Sequence, residues 1–120
     1  RTLQWFQGKA WDRTTPLGPV VVTPDELDPV AGVGVICRVN GVERQRGDTR
    51  TLVFDAADLL AYVSTFTSLR PGGVVLTGTP GGVGAGLAPP LYLADGDLLE
   101  TEIPGIGVLR NRLRLTDPRS

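Results

Sequence analysis

The 120-residue sequence predicts a mainly β domain with one clear helix, an α+β fold, and three observations carry that prediction. Apolar residues alternate at Val33, Val35, Cys37 and Val39 and run into Asn40-Gly41, the strongest short signal for a two-residue hairpin. Sixteen glycines and ten prolines, close to twice the usual share, cut the apolar runs into short pieces with many corners. Only one stretch, Phe54 to Leu69, has convincing helical spacing.

The opening segment, Arg1 to Pro19, has neither a clean helical nor a clean strand period. It mixes Trp5, Phe6 and Trp11 with Lys9, Asp12, Gly18 and Pro19, and is expected to be irregular; long irregular segments are often functional. Val20 to Thr23 is β-branched, stops at Pro24 and reads as a short strand. Beyond Asn40-Gly41, Val42 to Arg46 is the returning strand, its polar residues marking an exposed edge.

For the helix, Asp55 is the expected N-cap, with Asp58 three residues on and Phe54 and Leu59 placed for a hydrophobic staple. Leu59, Tyr62, Val63 and Phe66 form one apolar stripe, read as core, before Pro71-Gly72 ends the element. Val74 to Thr77 reads as a short strand, and Leu98 to Ile103 with Val108 to Leu115 as a final pair. Glu100 and Glu102 share a face of the first strand of that pair; Arg110, Arg112 and Arg114 share one of the second. Cross-strand ion pairs between the two sets are expected.

Composition excludes several functions. Twelve Lys and Arg against thirteen Asp and Glu, scattered along the chain, give a net charge of -1 and no basic footprint for nucleic acid. There is no histidine, so a His/Cys zinc site and a Ser-His-Asp triad cannot be built from this chain. Cys37 has no disulfide partner within the chain and reads as a packing residue. No stretch approaches the length of a membrane span and no signal peptide is visible, so no membrane partner is expected and the setting expected is cytoplasmic. The chain starts at Arg1 rather than Met and reads as the interior of a longer protein.

Two segments can carry chemistry. Gly78 to Gly86 is not a P-loop, having no Lys-Ser/Thr pair, and does not open a helix as a dinucleotide fingerprint must. Such a loop either brings backbone N–H groups and the Thr79 hydroxyl to an anionic ligand or serves as a structural turn, and composition alone leaves both open. Lys9, between Gly8 and Trp11, is either a fixed positive charge for a carboxylate or an enolate oxygen, or a solvated surface lysine.

The string Trp5-Phe6-Gln7-Gly8-Lys9-Ala10-Trp11-Asp12, followed by Pro16-Leu17-Gly18-Pro19, resembles the QWxxGKxxD…PxGP signature of the fumarylacetoacetate hydrolase family. The likeness continues through Val39-Asn40-Gly41, Phe54-Asp55, Leu69 to Pro80, Gly82-Val83-Gly84, Gly96-Asp97 and the closing run Ile103 to Arg112. One departure is Gly73, where the family usually has an Asp. The resemblance implies a mixed β-roll or sandwich, of which this chain is the C-terminal portion of one catalytic domain. It implies an enzyme acting on small 2-oxo or 1,3-dicarbonyl acids by C–C bond hydrolysis, decarboxylation or keto–enol isomerisation, by way of a metal-stabilised enolate.

By the same resemblance Lys9 is the active-site lysine, and Gly78 and Thr79 bind the substrate carboxylate. The family's Mg²⁺ or Mn²⁺ is held by an E-x-E pair and a later Asp, all expected upstream of Arg1. No metal is therefore expected on this chain alone, which should be inactive by itself. Glu100 and Glu102 have E-x-E spacing, but their place beside the closing motif makes them cross-strand partners of Arg110 and Arg112. The expected partners are a small oxo-acid substrate and a second copy of the protein, in a homodimer or larger assembly. A non-catalytic anion-binding or structural fragment of the same fold is the competing reading.

Overall fold

The computed structural model of the chain describes residues 5–116. In chain order the elements are a short helix α1 (Trp5–Lys9), strands β1 (Gly34–Val39) and β2 (Val42–Asp48), helix α2 (Ala56–Ser64), and strands β3 (Leu98–Ile103) and β4 (Gly107–Arg112). Single 3-10 turns sit at Thr49–Thr51 and Gly84–Gly86. Mainly β with one substantial helix is what the sequence predicts. Part of the segment expected to be irregular is instead the one-turn α1, and its first four residues lie outside the described range.

The β1–β2 hairpin forms where Asn40-Gly41 places it. Both turn residues have positive φ, 51° and 78°, as a type I′ turn requires. The Asn40 side chain then ties the turn to the start of β3: its Nδ2 donates to Asp97 Oδ1 at 2.8 Å and its Oδ1 accepts from the Leu98 N–H at 2.9 Å. The four strands form one antiparallel sheet in the order β2-β1-β3-β4, so β1 and β3 are central.

This order corrects one ion pair. Glu100 lies opposite Arg110 and bonds it at 2.7 Å, as expected. Glu102, however, lies opposite Val108, and Arg112 lies opposite Leu98. Arg112 therefore turns to the Gly96 carbonyl at 2.8 Å, while Glu102 pairs with Arg38 of β1. A hairpin read in isolation has one neighbour per strand, whereas the glutamate of a central strand has two.

Two expected strands are absent. Val20 to Thr23 and Val74 to Thr77 are not paired, and Val20, Val21, Val74 and Leu76 are exposed. Strand propensity supplies no ladder by itself; without a neighbouring edge a four-residue run stays irregular.

Helix α2 starts with the capping box expected at Asp55: its side chain accepts from the Asp58 N–H, and the Asp58 side chain accepts from the Asp55 N–H. It stops at Ser64, five residues short of Leu69. There the Ser64 and Thr65 hydroxyls bond back to the Ala61 and Tyr62 carbonyls and compete with the helical ladder. Its stripe is not core. Tyr62 is 68% and Phe66 67% exposed, making only an edge-to-face contact with each other, and Leu59 and Val63 are half-buried. Phe54 is exposed as well, so the staple with Leu59 does not bury it. Among the described residues only Val33 and Ile36 are buried, the first just before β1 and the second within it.

Candidate functional site

The site is built where the glycine-rich loop crosses β2. Residues Val35, Cys37 and Val39 of β1 and Leu99 and Thr101 of β3 fall on one face of the sheet by alternation and register. The loop lies beside that face, and three contacts with β2, at Gln45, Gly47 and Arg44, hold it there. Gln45 Nε2 donates to the Pro80 carbonyl at 2.9 Å. A Cβ on Gly47 would stand 2.9 Å from the Pro80 ring. A Cβ on Gly82 would collide with the Arg44 carbonyl, and one on Gly84 with the Leu91 carbonyl. Gly82 and Gly84 serve the structural role open to this loop, because backbone passes against backbone there.

The loop also keeps donors free. Among the described residues the N–H groups of Gly78, Thr79, Gly81 and Gly82 and the Thr79 hydroxyl donate to no other group. Gly78, Thr79 and Gly81 line a cleft of about 410 Å³ together with Thr49, Thr51, Thr77 and two charged residues, Arg46 and Asp48, that are ion-paired with Glu43 and Arg50. Unspent N–H groups beside a hydroxyl are what a carboxylate needs.

A second cleft of about 450 Å³ lies on the other side of Thr79 and Pro80, which with Val35 wall both. It is mostly apolar, lined by Val35, Cys37, Val39, Val83, Leu91, Leu93 and Leu99, with Arg44, Gln45, Tyr92 and Thr101 as its polar groups. Cys37 is half-buried and lines this cleft rather than the core, and its partial burial pushes the thiol up from its usual value. Arg44 comes to this wall through a β-bulge. Cys37 faces Gln45 but Arg38 faces Glu43, so Arg44 is the extra residue of β2.

Of the sequence-predicted residues, the structure brings Gly78 and Thr79 to one cleft. Lys9, at the end of α1, is exposed and lines neither cleft. Arg44 was hidden in the sequence: a string of polar residues after Asn40-Gly41 reads as an exposed edge, and alternation carries no trace of a bulge.

The described carboxylates do not fit a divalent metal. No three of them, with or without Cys37, converge as ligands among the described residues, and several are engaged elsewhere. Asp97 accepts from the Ala94 N–H and from Asn40, which hold its carboxyl below the usual range. Asp48 accepts from the Arg50 guanidinium and N–H, which bring it to about 2. Glu43, Glu100 and Glu102 are each paired with an arginine.

Known proteins are similar to this chain in sequence and fold. The chain is 44% identical over 110 residues to oxaloacetate tautomerase FAHD2A, mitochondrial, of Homo sapiens, covering 92% of this chain and 35% of that protein. Among solved structures it superposes on fumarylacetoacetate hydrolase from psychrophilic Exiguobacterium antarcticum with a TM-score of 0.88 and 46% identity, over 94% of this chain and 40% of that one. It also matches maleylpyruvate hydrolase from Sphingobium sp. SYK-6 in complex with manganese(II) and pyruvate, with a TM-score of 0.73 and 31% identity, over 83% and 35% of the two chains. The chain thus spans about a third of the length of the curated relatives it matches. With residues 1–114 matching the family described as fumarylacetoacetate (FAA) hydrolase C-terminal, the chain belongs to that family.

Proposed function

We propose that the intact protein is an enzyme that binds a small 2-oxo acid by its carboxylate and promotes its enolisation. The observation that carries this reading is the set of unspent donors at Gly78, Thr79 and Gly81 facing one cleft. Loop N–H groups and the Thr79 hydroxyl bind and orient the carboxylate in a cleft that Arg46, itself paired with Glu43, also lines, and β2 holds the loop still through Gln45 and Gly47. The similarity to oxaloacetate tautomerases supports keto–enol isomerisation as the reaction; C–C hydrolysis and decarboxylation are the other outcomes that products would reveal.

Lys9 belongs to the proposal through the family signature around it. Its role is to place a positive charge at the enolate oxygen. The divalent metal, Mg²⁺ or Mn²⁺, is assigned to carboxylates outside residues 1–120, in keeping with the manganese of the maleylpyruvate hydrolase relative, and no step here runs through it. Association into a homodimer or larger assembly also stays part of the proposal, with the open edge of β2 as one surface for it. The cytoplasmic setting does too. No described helix is long and apolar enough to cross a membrane, and the tautomerase relatives are named as mitochondrial, so fractionation of the source cells decides the compartment.

The test follows oxaloacetate enol loss by ultraviolet absorbance with intact protein, wild type against Thr79→Val and Lys9→Ala. Thr79→Val should raise KM by about 10-fold, the loss of one hydrogen bond to a charged group. Lys9→Ala should lower kcat by about 100-fold with an unchanged unfolding midpoint, since Lys9 is exposed. Absence of any acceleration by the wild type, or wild-type kinetics in both variants, overturns the reading.

A further inference from the structure

We propose that Arg44 is a specificity-determining residue that takes the second carboxylate of a dicarboxylic substrate, an inference that rests on the function proposed above. The sheet arginines around it are engaged: Arg38 with Glu102, Arg46 with Glu43 and Arg110 with Glu100. Among the described residues Arg44 has no ion pair and donates no side-chain hydrogen bond, although it lines a cleft that is otherwise mostly apolar. A cation beside apolar walls, with Gln45, Tyr92 and Thr101 near it, suits a small anion with a short carbon chain better than a neutral ligand.

Its position is built in. The bulge takes Arg44 out of register with β1, and Gly82 packs against the Arg44 carbonyl so closely that only glycine fits. The same loop presents Thr79, which walls both clefts. The loop thereby joins the two anion positions, with the oxo-acid end of the substrate at Thr79, its chain across Val35 and its distal carboxylate at Arg44. The planar guanidinium suits a carboxylate through paired N–H donors, which an ammonium cannot reproduce.

Calorimetric titration of the intact protein with succinate and with monomethyl succinate tests this, because the ester keeps the chain but removes one charge. Wild type should bind succinate about 10-fold or more tighter than the ester, and Arg44→Gln should bring the two within about twofold. Arg44→Lys should keep part of the preference. A wild type without preference, a preference that survives Arg44→Gln, or an equal loss for both ligands overturns the assignment. If the Arg44-dependent preference holds while no oxo-acid is turned over, the enzymatic reading falls and the dicarboxylate site stands.

Discussion

Replacing Gly82 with alanine tests whether the glycine loop is keyed to the bulge of β2. Gly82 has φ of 96°, a left-handed conformation that costs an alanine about 1–3 kcal/mol. The added Cβ would also strike the Arg44 carbonyl, with the carbonyl carbon only 3.2 Å away. Backbone cannot swing aside as a flexible side chain can, so overpacking adds about 1–3 kcal/mol. Together the two effects give about 2–6 kcal/mol, a large share of a typical domain's total stability. The neighbouring Gly81 is the internal control: a Cβ there meets nothing and its φ is not left-handed, so Gly81→Ala should be neutral or stabilising by up to about 1 kcal/mol. Urea unfolding of intact Gly82→Ala and Gly81→Ala, followed by circular dichroism, gives both values. Two midpoints that agree within about 0.5 kcal/mol after conversion by the slope would refute the close approach. A folded Gly82→Ala should also lose part of its affinity for carboxylate ligands, because Thr79 moves with the loop.

Three further outcomes are expected. A double-mutant cycle over Arg38→Met and Glu102→Gln should give a coupling of about 1 kcal/mol, larger than that of an open surface pair because both side chains are about a third exposed; coupling of Arg112 with Glu102 should be nil. Asp48, whose carboxyl the Arg50 side chain and N–H hold at about 2, contributes stability that is fully present above the unfolded value near 3.9 and is lost as pH falls toward about 2. Arg50→Met should flatten the acid limb of a thermal-denaturation series across that window. Asn40→Ala should lower the melting temperature more than Asn40→Gly, since both remove the bonds to Asp97 and Leu98 but only alanine is strained at φ of 51°; equal shifts would argue against the type I′ turn.

What was legible in the sequence was local. Alternation up to Asn40-Gly41, the Asp55 cap with Asp58, and the strand from Leu98 to Ile103 all sit where the residues place them. Strand β4 begins one residue early and ends three residues early. Features that depend on distant chain were not legible. Val20 to Thr23 and Val74 to Thr77 carry strand residues but find no edge, and Glu102 takes Arg38 because β3 lies beside β1. The stripe of α2 has core spacing, yet Tyr62 and Phe66 meet no layer of described residues that would cover them. At the candidate site, the glycine run marked Gly78 and Thr79 as part of a loop that either offers donors or serves as a turn, whereas the cleft containing Arg44 depends on a bulge that leaves no mark in composition or period.

The strand order has a kinetic consequence. The pairs β1–β2 and β3–β4 are tight hairpins, each able to form on the microsecond scale of about 1–10 μs. Their union through β1 and β3 joins residues at least 58 positions apart along the chain, the separation of Asn40 and Leu98. All of α2 and the glycine loop lie within the span that this union encloses. Closing so long a span carries an entropic penalty before any contact repays it, so hairpin docking belongs at or after the rate-limiting step. The Asn40 side chain, bonded across the junction, then acts as the latch of a late event, and the cleft walled by Leu99 and Thr101 comes into being only once it has closed.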